Sequence, residues 1–239
     1  MSEGRTLSVS DVHTYYGDSH VLHGVTLTAA AGRLTALMGR NGAGKTTLIG
    51  SISGLTPPRE GRVRFGETDL TGLKPYQIAR LGVSLVPQGR RVFGSLSVRE
   101  HLEVVNTSGR ATAWPTERVL DVFPQLKTRL NQQASRLSGG EQSMLAIARA
   151  LRLQPKCLLM DEPMEGLSPV YVQIVAHVIQ ELRKEAELAI LLVIPELALA
   201  LQLADRFCIM STGSIVFDGT PEELEKSPDI QARYLGVGD

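Results

Sequence analysis

Cysteine is scarce. Only Cys157 and Cys208 occur in 239 residues, each inside an apolar run, so buried, reduced thiols are expected rather than a disulfide or a metal site. An excess of either charge is missing too: 25 basic and 25 acidic residues cancel. That balance argues against nucleic acid as the main partner, because a phosphate backbone rewards a basic surface. No apolar run approaches the roughly 20 residues that span a bilayer. The N-terminal MSEGRTLSVS lacks the basic-then-apolar pattern of a signal peptide. The five histidines show no ligand spacing, and there is no internal repeat or low-complexity segment. What remains is 43% hydrophobic and 21% charged, the composition of a soluble, cytosolic globular chain with ample core.

Strand-like runs open the chain: LSVSDVHTYY, VTLTAA, RLTALMG and RVRFG, rich in β-branched residues and parted by glycine turns. KTTLIGSISG reads as a helix closed by glycine, and PYQIARLG as a short helix feeding the strand VSLVPQ. Residues 97–154 change character. SVRE is a capping box with Ser97 as N-cap, NTSGRATAWP a polar linker, TERVLDVFPQL a helix and SGGEQSMLAIARALRLQ a long amphipathic one. The chain then alternates: CLLMD, a helix from PVYVQIVAHVIQELRKEA, AILLVI, and a helix ELALALQLA opened by Pro195. Such alternation implies parallel strands with crossover helices. RFCIMSTGSIVFDG reads as a hairpin turning at Thr212-Gly213, and TPEEL as a last helix capped by Thr220. The expected fold is α/β: a mixed-sheet core with an N-terminal antiparallel subdomain (1–96 and 155–239) and an inserted helical subdomain (97–154), all in one domain.

GRNGAGKTT, running through Gly39, Arg40, Asn41, Gly42, Ala43, Gly44, Lys45, Thr46 and Thr47, fits G-x-x-x-x-G-K-[ST] between a strand and a helix. Glycines there let successive N–H groups turn toward one centre and cradle phosphate oxygens, with the helix's positive end behind them. Lys45 supplies charge to the β- and γ-phosphates, and the Thr46 hydroxyl can ligate Mg²⁺. A chance glycine turn is the bland alternative; the strand-to-helix context disfavours it. CLLMDE then places Asp161 and Glu162 at the C-terminal end of a buried strand, where open α/β sheets bind ligands. Asp161 is suited to hold Mg²⁺, and Glu162 to orient or deprotonate an attacking water. LSGGEQ is a third element. Ser138 is a natural N-cap, but two consecutive glycines at a helix start are costly unless something approaches the backbone closely. A phosphate at that helix tip would explain them.

With GRNGAGKTT, Gln88 in VPQGR, LSGGEQ and CLLMDEP in this order, nearly the whole chain resembles the ATP-binding subunits of ABC transporters, the P-loop NTPases known as ABC ATPases. The resemblance implies that two ATPase domains pair head to tail as a homo- or heterodimer. Each ATP would lie between one cradle and the partner's Ser138, Gly139, Gly140 and Glu141, with Ser138 and Gly140 on the γ-phosphate. It further implies that Tyr16 stacks on adenine, that Val21 packs beside the nucleotide, and that Gln88 senses Mg²⁺ and the γ-phosphate. The stretch 97–135 would receive integral membrane permease subunits, and a solute-binding protein would act further out. The location implied is peripheral, on the cytoplasmic face of a bacterial-type plasma membrane. YYGDSHVLHGV, VPQGRRVFGSLSVREHL, DEPMEGLSP and YLG look like the branched-chain (hydrophobic) amino-acid uptake branch, with urea/amide uptake ATPases close by.

Two positions depart from the family pattern. Ten residues before Asp205, where a switch histidine usually stands, this chain has Pro195, which carries no side-chain donor and no N–H. Ser168 stands where an aspartate often helps the two sites communicate. The departures predict slow hydrolysis with ATP binding and dimer closure retained. The readings set beside a transport ATPase are a soluble ABC-type ATPase and an ATP-gated regulatory module.

Overall fold

Central strands buried on both faces must be apolar throughout, whereas strands at a half-wet sheet alternate, and both patterns occur. The computed structural model describes residues 5–104 and 113–236. In chain order its elements are β1 (Leu7–Tyr16), β2 (Ser19–Ala29), β3 (Leu34–Met38), α1 (Lys45–Ile52), β4 (Glu60–Phe65), β5 (Thr68–Asp69), α2 (Pro75–Arg80) and β6 (Val83–Val86). Then come α3 (Val98–Glu103), α4 (Thr116–Val122), α5 (Pro124–Lys127), α6 (Gly139–Arg152), β7 (Cys157–Asp161), α7 (Pro169–Arg183) and β8 (Ala189–Val193). The last are α8 (Leu197–Leu203), β9 (Arg206–Ser211), β10 (Ser214–Gly219), α9 (Pro221–Glu225) and α10 (Pro228–Ile230). Among the described residues no helix is long and apolar enough to cross a membrane.

Four antiparallel strands, in the order β2-β1-β4-β5, make one sheet, and six, β10-β9-β3-β8-β7-β6, make the other. In the second, β6, β7, β8, β3 and β9 run parallel and β10 pairs antiparallel at the edge. Period-two alternation divides its side chains between two cores. Leu34, Ala36, Met38, Leu158, Met160, Ile190 and Leu192 face the helices. Leu37, Cys157, Leu159, Ala189, Leu191 and Val193 face α1 and the antiparallel sheet. Cys157 and Cys208 are free and buried, and burial pushes the Cys157 thiol up to about 12. Parallel pairing has a positional consequence: the C-terminal ends of β3, β8, β7 and β6 lie along one edge. Gly39, Pro195, Asp161 and Gln88 are therefore neighbours in the sheet though far apart in the chain.

The helical stretch starts as its capping chemistry dictates. Ser97 accepts from the Glu100 N–H, and the Glu100 carboxylate takes the Ser97 N–H, an arrangement worth about 1 kcal/mol. Three expectations need correction. TERVLDVFPQL is not one helix, because Pro124 forces Phe123 out of the helical region (φ −121°, ψ 69°) and splits it into α4 and α5. Pro195 does not open the ELALALQLA helix. Glu196 is the N-cap with extended backbone (ψ 113°), and Pro195 precedes it in the exit from β8. The polar linker ends on a core residue. Trp114 is 5% exposed, lies under the Arg118 guanidinium (4.0 Å) and donates its backbone N–H to Gln154 Oε1 at 2.9 Å. Residues 106–112 of that linker lie outside the described residues.

Candidate nucleotide site

The loop after β3 can exist only with glycine at its two ends. Gly39 has φ 138°, and a Cβ there would stand 2.2 Å from Met210 O. Gly44 caps α1 with φ 104°, and a Cβ would meet Leu22 Cδ2 at 2.9 Å. No side chain caps α1 and its first turn carries no acid, so the free N–H groups and the positive helix end are left for an anion. Lys45, 5% exposed, donates to Gly39 O at 2.9 Å and to Arg40 O at 3.3 Å, which holds its ammonium inside the loop. The same Nζ lies 3.6 Å from Glu162 Oε1. Of the remaining loop residues, Ala43 donates its N–H to Arg40 O at 3.1 Å and Thr47 is buried.

Asp161 ends β7 almost wholly buried, and its Oδ1 has no hydrogen-bond partner among the described residues. Burial pushes its carboxyl above the ordinary range. The Thr46 hydroxyl and Lys45 pull it back, while the charges of Glu162 and Glu165 add to the push. An orphaned, buried carboxylate oxygen beside a threonine hydroxyl is the donor chemistry that a hard divalent cation would complete. Glu162 holds left-handed backbone (φ 48°), a strain of about 1–3 kcal/mol, and its N–H donates to Val193 O at 3.2 Å. That kink turns its side chain toward Lys45.

Gln88 follows β6, half-buried, with Nε2 donating to Glu165 Oε2 at 2.9 Å. Val21 reaches the cradle indirectly. Gly213, in the β9–β10 turn, donates its N–H to Ala43 O (2.9 Å) and accepts the His23 N–H (2.8 Å), and a Cβ on it would lie 2.1 Å from Val21 O. Tyr16 stands 53% exposed, its hydroxyl 3.5 Å from Thr56 Oγ1, beyond the C-terminal end of α1.

Ser138 to Glu141 form the tip of α6. Ser138 Oγ accepts from the Glu141 N–H at 3.3 Å, and Glu141 returns its carboxylate to the Ser138 N–H (2.8 Å) and to Arg129 Nε (3.3 Å). The double glycine has a cause within the chain. A Cβ on Gly140 would sit 2.2 Å from the Tyr171 ring, and one on Gly139 2.8 Å from Arg90 Nη1. What approaches the backbone closely is thus Tyr171 and Arg90, which are remote in sequence and which only folding brings there. Ser138 Oγ also donates to the Tyr171 hydroxyl at 3.2 Å. Among the described residues no hydrogen bond or ion pair joins this tip to Gly39–Thr47. Between the α6 tip and the strand ends lies a cavity of about 330 Å³ lined by Pro87, Arg90, Gln142, Ser143, Glu162 and Glu165.

Residues 22–165 match the protein family described as ABC transporter. The chain is 40% identical over 232 residues to the high-affinity branched-chain amino acid transport ATP-binding protein BraG of Pseudomonas aeruginosa, covering 96% of this chain and 99% of the relative. It is 34% identical to the probable branched-chain amino acid transport ATP-binding protein LivF of Archaeoglobus fulgidus, covering 94% and 96%. In three dimensions it superposes on a nucleotide-free ATP-binding cassette from an ABC transporter with a TM-score of 0.84 at 26% identity, covering 98% of this chain and 100% of that one. An ATP-binding subunit of an ABC transporter gives a TM-score of 0.83 at 28% identity, covering 96% of each.

Proposed function

Because the chain belongs to the ABC transporter family as its ATP-binding component, we propose that it hydrolyses ATP to drive uptake of branched-chain and other hydrophobic amino acids. The named activity of the relatives supports the solute class. In this reading residues 1–239 act as one ATPase domain docked peripherally on integral permease subunits at the cytoplasmic face. A second ABC ATPase subunit, a copy or a relative, completes each site, and a solute-binding protein delivers the cargo. The observation that carries the reading is the convergence of Lys45, Asp161 and Glu162 at the ends of β3 and β7, the two parallel strands that flank β8.

The chain's own groups divide the work. Backbone N–H groups of Gly39–Thr47 and the α1 dipole bind the triphosphate, and Lys45 neutralises its β- and γ-oxygens. Thr46, Asp161 and Gln88 would hold Mg²⁺, which when bound supplies charge neutralisation on the phosphate oxygens. Glu162, held against the phosphate side by Lys45, orients the attacking water and takes its proton. Ser138, Gly139 and Gly140 of the partner cap the γ-phosphate, while Glu141 stabilises that helix tip. Tyr16 stacks on the adenine and Val21 packs beside the nucleotide. Pro195, exposed at the end of β8 and without a donor, leaves hydrolysis slow.

Transport of radiolabelled leucine in cells lacking the gene tests the reading. Uptake is restored by the wild-type chain and not by Glu162→Gln. Unchanged leucine uptake with loss of urea uptake would move the assignment to the amide branch. A second reading, an ATP-gated regulatory subunit, is favoured by Pro195 and predicts that Glu162→Gln restores uptake fully.

A further inference from the structure

The Gln88 carboxamide does not turn freely. Its Nε2 donates to Glu165 Oε2 at 2.9 Å. Gln88 follows β6 and Glu165 follows β7, and these strands are parallel neighbours with Val86 opposite Met160. The bond therefore ties together two loops at the site's edge. The turn that carries Glu165 is itself fastened: Glu165 donates its N–H to Glu162 O (3.1 Å), Leu167 to Met164 O (3.3 Å), and Glu162 to Val193 O (3.2 Å). Two residues past Gln88, Arg90 Nη2 reaches Gly166 O at 3.5 Å, a second tie between the same two loops.

An amide has one donating and one accepting end, whereas an ionised carboxylate only accepts. With Nε2 on Glu165, Oε1 is the end left available. A flipped amide would set two acceptor oxygens against each other. Only the oxygen end can serve a hard cation, so the carboxylate decides whether Gln88 is usable as a ligand.

We propose that Glu165 is a positioning residue, fixing the Gln88 amide so that Oε1 is presented for Mg²⁺·ATP. It acts through Gln88 and needs no contact with nucleotide itself, in the manner of outer-shell groups that orient metal ligands elsewhere. The proposal rests on the reading of Gln88 as a Mg²⁺ ligand given above.

The test is equilibrium binding of trinitrophenyl-ATP to the full chain, once with Mg²⁺ and once with EDTA, read as the ratio of the two dissociation constants. The expected result is that Glu165→Ala lowers the Mg²⁺-linked tightening by roughly tenfold, with affinity in EDTA unchanged. Glu165→Gln keeps the tightening, because its Oε1 still accepts from Gln88 Nε2. An unchanged ratio in Glu165→Ala overturns the proposal. So does an equal fall in both variants, which would mean that charge rather than orientation matters. Lost affinity in EDTA would mean a structural role only and overturns it as well. Gln88→Ala separates the two levels. A ratio that falls there but not in Glu165→Ala sinks the positioning role alone, while a ratio that Gln88→Ala leaves intact removes the ligand reading beneath it.

Discussion

Lys45 and Glu162 face one another across 3.6 Å, their side chains 5% and 12% exposed, at the ends of two elements separated by nearly half the chain. The pair sets the charge of the site before any nucleotide arrives. An ammonium with one carboxylate neighbour and two carbonyl partners has every reason to stay in the loop. Replacing Glu162 by glutamine removes an anion from beside the proposed phosphate position and removes the proposed base. Glu162→Gln should therefore bind ATP at least as tightly as wild type while phosphate release slows by about 10² or more. Lys45→Ala should weaken ATP binding by roughly 10², the order of a charge-assisted contact to phosphate. Filter binding and phosphate release on the same preparations check both.

Pro195 is the second position on which the proposed slow turnover rests. It stands exposed, just past β8, with neither N–H nor side-chain donor. Histidine there is expected to raise steady-state ATPase about tenfold, the order of one added hydrogen bond to the reacting groups. Dissociation constants for ATP should not move. Equal turnover in wild type and Pro195→His would count against the slow-site reading.

Gly140 is fixed by packing as well as by any phosphate. A methyl group would have to displace the base of the Tyr171 ring, 2.2 Å away, so Gly140→Ala is expected to destabilise the fold by about 1–3 kcal/mol. Thermal denaturation should fall by several degrees, and adding Tyr171→Ala should recover part of the loss. An additive double variant would contradict the contact.

His101 makes stability depend on pH. It is fully buried on α3, its Nδ1 paired with Ser97 O at 2.8 Å, and its Nε2 accepts the Phe93 N–H at 2.9 Å. The ring is thus held neutral. Burial lowers its pKa below the ordinary 6.5, the Ser97 carbonyl opposing and the Arg149 charge adding to the effect. The unfolded chain binds the proton first, so stability is complete above pH 6.5 and is lost as pH falls below it toward the folded-state value. Urea denaturation from pH 7.5 to 5.0 should show this slope, and His101→Gln should flatten it.

The cradle is legible in nine consecutive residues because strand, turn and helix cap are local and glycine is compulsory at Gly39 and Gly44. Asp161 and Glu162 are legible because an apolar run ends on them. The partners of these residues are not legible. Glu165, Arg90, Tyr171 and Gly213 gain their meaning only when parallel pairing and the β9–β10 turn bring distant loops together. The Phe123–Pro124 break was present in the sequence as a helix-breaking pair, yet hydrophobic spacing continued through it and concealed the boundary. Trp114 shows the converse: a polar neighbourhood hid a core anchor whose ring is covered by Arg118.

The most direct measurement is the solution mass of Glu162→Gln with and without ATP, by light scattering. Each chain carries both a cradle and a capping helix tip, so ATP is predicted to double the 25.9 kDa monomer mass and ADP to leave it unchanged. An ATP-saturated chain that stays at 25.9 kDa both alone and when mixed with a related ABC ATPase subunit would contradict the account.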